Sequence, residues 1–162
     1  IPWPRETSVS FEITKGDSEG SDALKVLLDV DLPEIEQMPT KTASVPQRGM
    51  KMTLKEMPAA KVRKLYMDHV HGVVFRIIGE TFATLPKVQT VVVSGYSQRP
   101  DLATGRVEAE YLLSVRVGRD DWSKIDFAHL TLLDPFEALG RFDIQRSVRK
   151  DGSLVMVEPF AS

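Results

Sequence analysis

A 27-residue stretch free of proline, Ala59–Leu85, lies between Pro58 and Pro86 and constrains the fold more than any other feature. Proline suits the first turn of a helix and cannot continue one, so the pair brackets a single long helix. At 1.5 Å per residue it would be about 40 Å long. Placed on a helical wheel, Val62, Leu65, Tyr66, Val70, Val73, Val74, Ile77, Ile78 and Thr81 share one broad apolar sector. Lys64, Asp68 and His71 lie opposite. So wide a face must be buried against another layer, and the strand Val88–Ser97 is the expected floor. Gly72 and Gly79 fall on the same side of the wheel. Each costs about 1 kcal/mol relative to alanine in a helix, which predicts a kink or a close backbone approach there.

Strands surround this helix. Thr7–Thr14 alternates, with Val9, Phe11 and Ile13 on one face, predicting a half-buried strand. The polar run Lys15–Asp22 reads as a turn, and Leu24–Val30 as a second strand pairing back on the first. Leu32–Pro39 reads as an irregular connector, and Gly49–Met57 alternates again. Val88–Ser97, with three consecutive valines, reads as the centre of the sheet. Val107–Val117 should pair with it as a hairpin through the turn-like Arg99–Gly105, with Val107, Ala109, Tyr111 and Leu113 on one face. A short helix is expected at Arg119–Trp122, capped by Asp120 or Asp121. Another is expected at Asp134-Pro135, a capping aspartate before a proline suited to the first helical position. Phe142–Val148 and Ser153–Val157 flank Asp151-Gly152, a hairpin turn signal. The expected class is α+β: a mostly antiparallel sheet packed against one long central helix plus two short helices.

At 162 residues this is one domain, read as 7–162 after an extended entry segment 1–6 that starts Ile-Pro-Trp-Pro. The start without Met suggests a piece excised from a larger protein. With no cysteine, disulfides, thiolate metal sites and thiol nucleophiles are excluded. No run approaches the ~20 apolar residues of a membrane span, and the expected location is cytoplasmic. Neither phosphate-binding glycine motif is present, and Ser94 lacks the flanking glycines of a nucleophile elbow.

Charge is uneven. Residues 1–40 carry three basic and nine acidic side chains, and residues 41–76 carry eight and two. Pairing between these regions is the plain reading. The alternative is an anion-binding patch at Lys51, Lys55, Lys61, Arg63 and Lys64. A pI of 6.0 argues against nucleic acid, whose binding domains tend to lie above about 9. His69 and His71, two apart on a helix, point away from each other and cannot share a metal. His69, Arg76 and Glu80 are near one azimuth and either line a cleft or form an amphipathic border with an Arg76–Glu80 pair.

Pro100-Asp101 followed by Glu108-Ala109-Glu110 is the pattern best suited to catalysis. A long helix, a strand and a hairpin carrying these residues resembles the layout of restriction-endonuclease-like nucleases. That resemblance implies Mg2+ held by Asp101, Glu108 and Glu110, with Glu80 as a further ligand, since Mg2+ takes oxygen donors. Glu110 stands where that pattern has a lysine, and Asp101 falls in the loop. The leading expectation is instead a non-catalytic accessory or interaction domain, without cofactor. Its partner would be a protein or another domain of the parent chain, met on a surface beside the long helix; oligomeric state stays open.

Overall fold

The computed structural model describes residues 8–15, 24–38, 41–44, 53–56, 58–100 and 102–160. Among these described residues, eight strands and three α-helices follow in the order β1 (Val9–Lys15), β2 (Leu24–Asp31), β3 (Lys41–Ser44), β4 (Thr53–Glu56), α1 (Ala59–Thr84), β5 (Val88–Pro100), β6 (Val107–Gly118), α2 (Arg119–Trp122), α3 (Pro135–Leu139), β7 (Asp143–Val148) and β8 (Leu154–Val155). Six strands form one sheet in the order β1-β2-β5-β6-β7-β8, and β3 pairs with β4 separately. The class is α+β, as the sequence predicts. Every neighbouring pair is antiparallel except β2–β5. That pair is parallel because the chain returns through α1, and a parallel neighbour needs such a crossover. The strand at Lys41–Ser44 was not foreseen. Of the expected strand Gly49–Met57, residues 53–56 are β4, and the remainder lies outside the described residues.

One face of the sheet carries Val26, Leu28 and Val30 in register with Val91, Val93 and Gly95, and these with Val117, Val115 and Leu113. α1 packs on this face over β5, and its Val70, Val73, Val74 and Ile78 are buried there. Val62, Leu65 and Ile77, expected at the same depth, are only half-buried. Gly95 sits at an irregularity where Leu112 is inserted opposite the Gly95/Tyr96 step. This bulge resets the alternation. Leu113 therefore joins the helix-side face, away from Tyr111, contrary to strict alternation along β6.

His71 corrects the wheel. The helical wheel places it on the polar side, but it is fully buried. α3 packs on that flank of α1, and the Phe136 ring lies 4.9 Å from the imidazole. Arg146 holds α3 in place by donating to Phe136 O at 3.0 Å and stacking over the Phe136 ring at 3.7 Å. At the other end Trp122 packs with Phe75, Phe82, Phe127 and Phe142 at ring distances of 4.8–6.1 Å. A methyl group added at Gly79 would lie 3.3 Å from Trp122, so this glycine does meet a close neighbour, a side chain rather than a backbone. A Cβ added at Gly72 would meet nothing within 4 Å among the described residues outside its own helix backbone, which overturns the close-approach expectation there.

The aspartates do not cap α2; Gly118 is its N-cap and makes no side-chain cap bond. Arg119 reaches the end of α1 instead. It donates to Phe82 O (3.1 Å), Leu85 O (2.8 Å) and Val88 O (2.8 Å). α1 has no basic residue in its own last turn, and Arg119 supplies that charge and those donors from across the sheet. Asp134 caps α3 as expected, accepting from Phe136 N.

Candidate functional site

The carboxylates of the hairpin do not meet Glu80. Glu108 stands opposite Arg99 and Glu110 opposite Ser97 in the β5–β6 ladder, both on the face that carries α1. Glu108 is exposed, and Glu110 is half-buried beside Arg63 and Tyr66. The link at 85–87 is short, so β5 runs antiparallel to α1 and the hairpin tip lies toward the start of the helix. Glu80 is fourteen residues beyond Tyr66 on α1, about 21 Å at 1.5 Å per residue. It pairs with Arg76 at 3.0 Å, both side chains exposed. Asp101 lies outside the described residues. Among the described residues no three His, Asp or Glu side chains are placed to hold one metal ion.

The basic candidates divide. Lys51 lies outside the described residues, as does the side chain of Lys55, whose backbone is in β4. Lys61, Arg63 and Lys64 are in the first two turns of α1. Lys61 is exposed, and Lys64 pairs with Asp68 at 3.4 Å. Arg63 donates through Nε to Asp151 O at 2.7 Å and so ties α1 to the β7–β8 turn. In that turn the Asp151 carboxylate accepts from Ser153 Oγ at 2.6 Å and Ser153 N at 2.9 Å, bonds that hold it below the usual carboxylate range. Gly152 supplies the left-handed conformation, φ +88°, that a side chain resists. Arg63, Tyr66, Glu110 and Arg149 line a cleft of about 390 Å³ between α1 and the turn. His69 is half-buried, and burial lowers its pKa. Arg76 is two turns further on, so His69, Arg76 and Glu80 form an amphipathic border closed by the Arg76–Glu80 pair.

On the opposite face of the sheet a polar hollow of about 390 Å³ is bounded by Asp29, Tyr111 and Phe160. Tyr111 donates to Asp29 Oδ2 at 3.0 Å, and burial followed by this bond raises its pKa. Phe160 N donates to Ser114 Oγ at 3.0 Å, and Arg116 stacks over the Phe160 ring at 4.7 Å.

The surface that pattern reading misjudged is β1. Val9, Phe11 and Ile13 stand opposite Val30, Leu28 and Val26, on the face that α1 covers elsewhere. Alternation predicts this face to be the buried one, yet they are 42%, 70% and 46% exposed. The reason is geometric. Strands lie about 4.8 Å apart, so β1 is about 10 Å to the side of β5, while a helix is only about 10–12 Å across. A helix centred over β5 leaves β1 uncovered. Next to Ile13 an apolar hollow of about 350 Å³ is lined by Leu24, Leu85 and Val88. Alternation marked the row; only the helix's lateral position decided that it stays open.

The chain matches no protein-family model, no curated protein and no solved structure.

Proposed function

We propose that this domain is a non-catalytic interaction module that binds protein through β1, taking an extended segment alongside that strand as a further strand of the sheet. The observation that carries this reading is the apolar row Val9, Phe11 and Ile13, with Phe11 70% exposed on a strand at the edge of the sheet. An edge strand presents unpaired backbone donors and acceptors, and an added strand uses them while its alternate side chains meet the row. The two edges contrast. β8 is two residues long, a common protection of an edge, whereas β1 is seven residues long and has neither proline nor bulge.

Amide hydrogen exchange tests this, comparing the free domain at a concentration where it is monomeric with the same domain in its parent assembly. Exchange across Val9–Lys15 should slow in the assembly, while the hairpin tip Leu102–Gly105 is unchanged, and Phe11→Asp should abolish the difference. Equal exchange at β1 in both states would overturn the reading. So would substrate turnover by the purified domain that Glu108→Gln or Glu110→Gln removes.

A further inference from the structure

We infer that the segment that pairs with β1 is β1 of a second copy of this chain, antiparallel to it about a two-fold axis through Phe11. This rests on the reading of β1 as a docking edge and goes further by naming the occupant.

The strand's own pattern carries the inference. A two-fold axis normal to a continuous antiparallel sheet makes one residue its own partner and keeps like faces on one side, so the two α1 helices lie on the same face. With Phe11 at the axis, Val9 meets Ile13, Ser10 meets Glu12, and Ser8 meets Thr14. Six apolar side chains then form one continuous row, and no charge faces a like charge. Centred on Glu12, the carboxylate would face its own copy and Val9 would face Lys15. Centred on Ile13, Phe11 would face Lys15. Like charges directly opposite destabilise a strand pair, and aromatic and β-branched pairs stabilise it. The Phe11 register alone aligns the whole apolar row and places Glu12 against a neutral hydroxyl.

Because the chain has no cysteine, introduced thiols report the register without background. In the proposed pairing the two Phe11 Cα atoms lie about 4.5–5.5 Å apart, within disulfide reach, and the two Glu12 Cα atoms are beyond the about 7 Å limit. Mild oxidation should therefore give a disulfide dimer from Phe11→Cys and from the paired variant Val9→Cys/Ile13→Cys, but not from Glu12→Cys. Sedimentation equilibrium of the unmodified chain should show a concentration-dependent dimer. Phe11→Asp should weaken it at least about tenfold, with melting unchanged at a concentration where both proteins are monomeric.

Three results would overturn the inference: a monomer up to about 1 mM, a dimer unaffected by Phe11→Asp, or a Glu12→Cys dimer in place of the Phe11→Cys one. A monomer whose β1 is nevertheless protected in the parent assembly removes the second copy and leaves the docking edge standing. Loss of both removes both.

Discussion

Phe11 and Leu28 face each other across the β1–β2 ladder on the same side of the sheet, yet Phe11 is 70% exposed and Leu28 is 7%. The boundary of the hydrophobic core therefore runs between two adjacent strands. Leu28→Ala should cost about 2–5 kcal/mol, the usual range for a buried leucine. Phe11→Ser should stay within about 0.5 kcal/mol, as for an exposed site, when both are measured by urea unfolding at a concentration where the chain is monomeric. Comparable losses at the two positions would mean that Phe11 is covered in the folded monomer.

How far the sequence specifies this molecule shows in the same pair. Period-2 alternation placed Val9, Phe11 and Ile13 on one face correctly, because strand geometry is local. It carried no information on where α1 lies across the sheet, and that lateral offset sets exposure. His71 failed for a related reason: the wheel assumed one buried side, and α3 supplied a second. The long helix was legible to within a residue because prolines bracket it. Asp134 was legible because a cap is a contact within one turn. Arg119 was not, since its three acceptors lie more than thirty residues away. The candidate carboxylates fared likewise: Glu108 and Glu110 share a face by alternation, whereas Glu80 was grouped with them without knowing which way β5 runs along α1.

Gly95 is where β5 lets Leu32 through. A Cβ on Gly95 would lie 2.6 Å from Leu32 Cδ1, and Leu32 is fully buried. Gly95→Ala should therefore destabilise by about 1–3 kcal/mol, the range for overpacking. Leu32→Val, which shortens the opposing side chain, should recover part of that loss in the double variant. Additive effects would show that the clash is relieved elsewhere.

Arg119 closes the C-terminal end of α1 with a planar fork that lysine does not reproduce. Arg119→Lys keeps the charge but cannot serve three carbonyls in this geometry, and should cost about 1.5–3 kcal/mol. Native-state hydrogen exchange should quicken in the last turn of α1 and at the start of β5, with the first half of the helix unaffected. Uniform loss along α1 would contradict a local capping role.

His71 makes stability depend on pH. Its Nδ1 donates to Met67 O at 2.8 Å, and Nε2 has no partner among the described residues. Burial is the main cause that lowers its pKa from 6.5 to about 4; Arg146 adds to this, while the Met67 bond, Asp68 and Asp134 oppose it. The unfolded chain then takes up a proton near pH 6.5 that the folded chain resists until about pH 4. Stability is full above pH 6.5 and falls as pH drops through this window, by a total on the order of 3 kcal/mol. His71→Met, apolar and of similar size, should remove the part of that slope due to His71, leaving the contribution of His69, whose pKa burial also lowers, and that of the carboxylates at lower pH. Identical pH dependence of urea midpoints in the two proteins would show that His71 takes up its proton as readily in the fold as in the unfolded chain.

Gly72 and Gly79 separate helix propensity from packing within one helix. Neither has the positive φ that would favour glycine, so each costs α1 stability relative to alanine. At Gly72 nothing among the described residues outside the helix's own backbone lies within 4 Å of an added Cβ. Gly72→Ala should gain about 1 kcal/mol. At Gly79 the same methyl meets Trp122 Cζ2 at 3.3 Å, and that indole is held by Phe75, Phe82, Phe127 and Phe142. The propensity gain of Gly79→Ala is then offset by displacement of a ring with little room to move, and the net change should be smaller than at Gly72. Gly79→Leu should lose about 1–3 kcal/mol by overpacking. Gly72→Leu should leave the fold intact. Thermal and urea unfolding of the four variants give the ordering directly. Equal gains from alanine at both positions would mean that the Trp122 cluster yields to a methyl group, and destabilisation by Gly72→Ala would mean that its open flank is covered in solution.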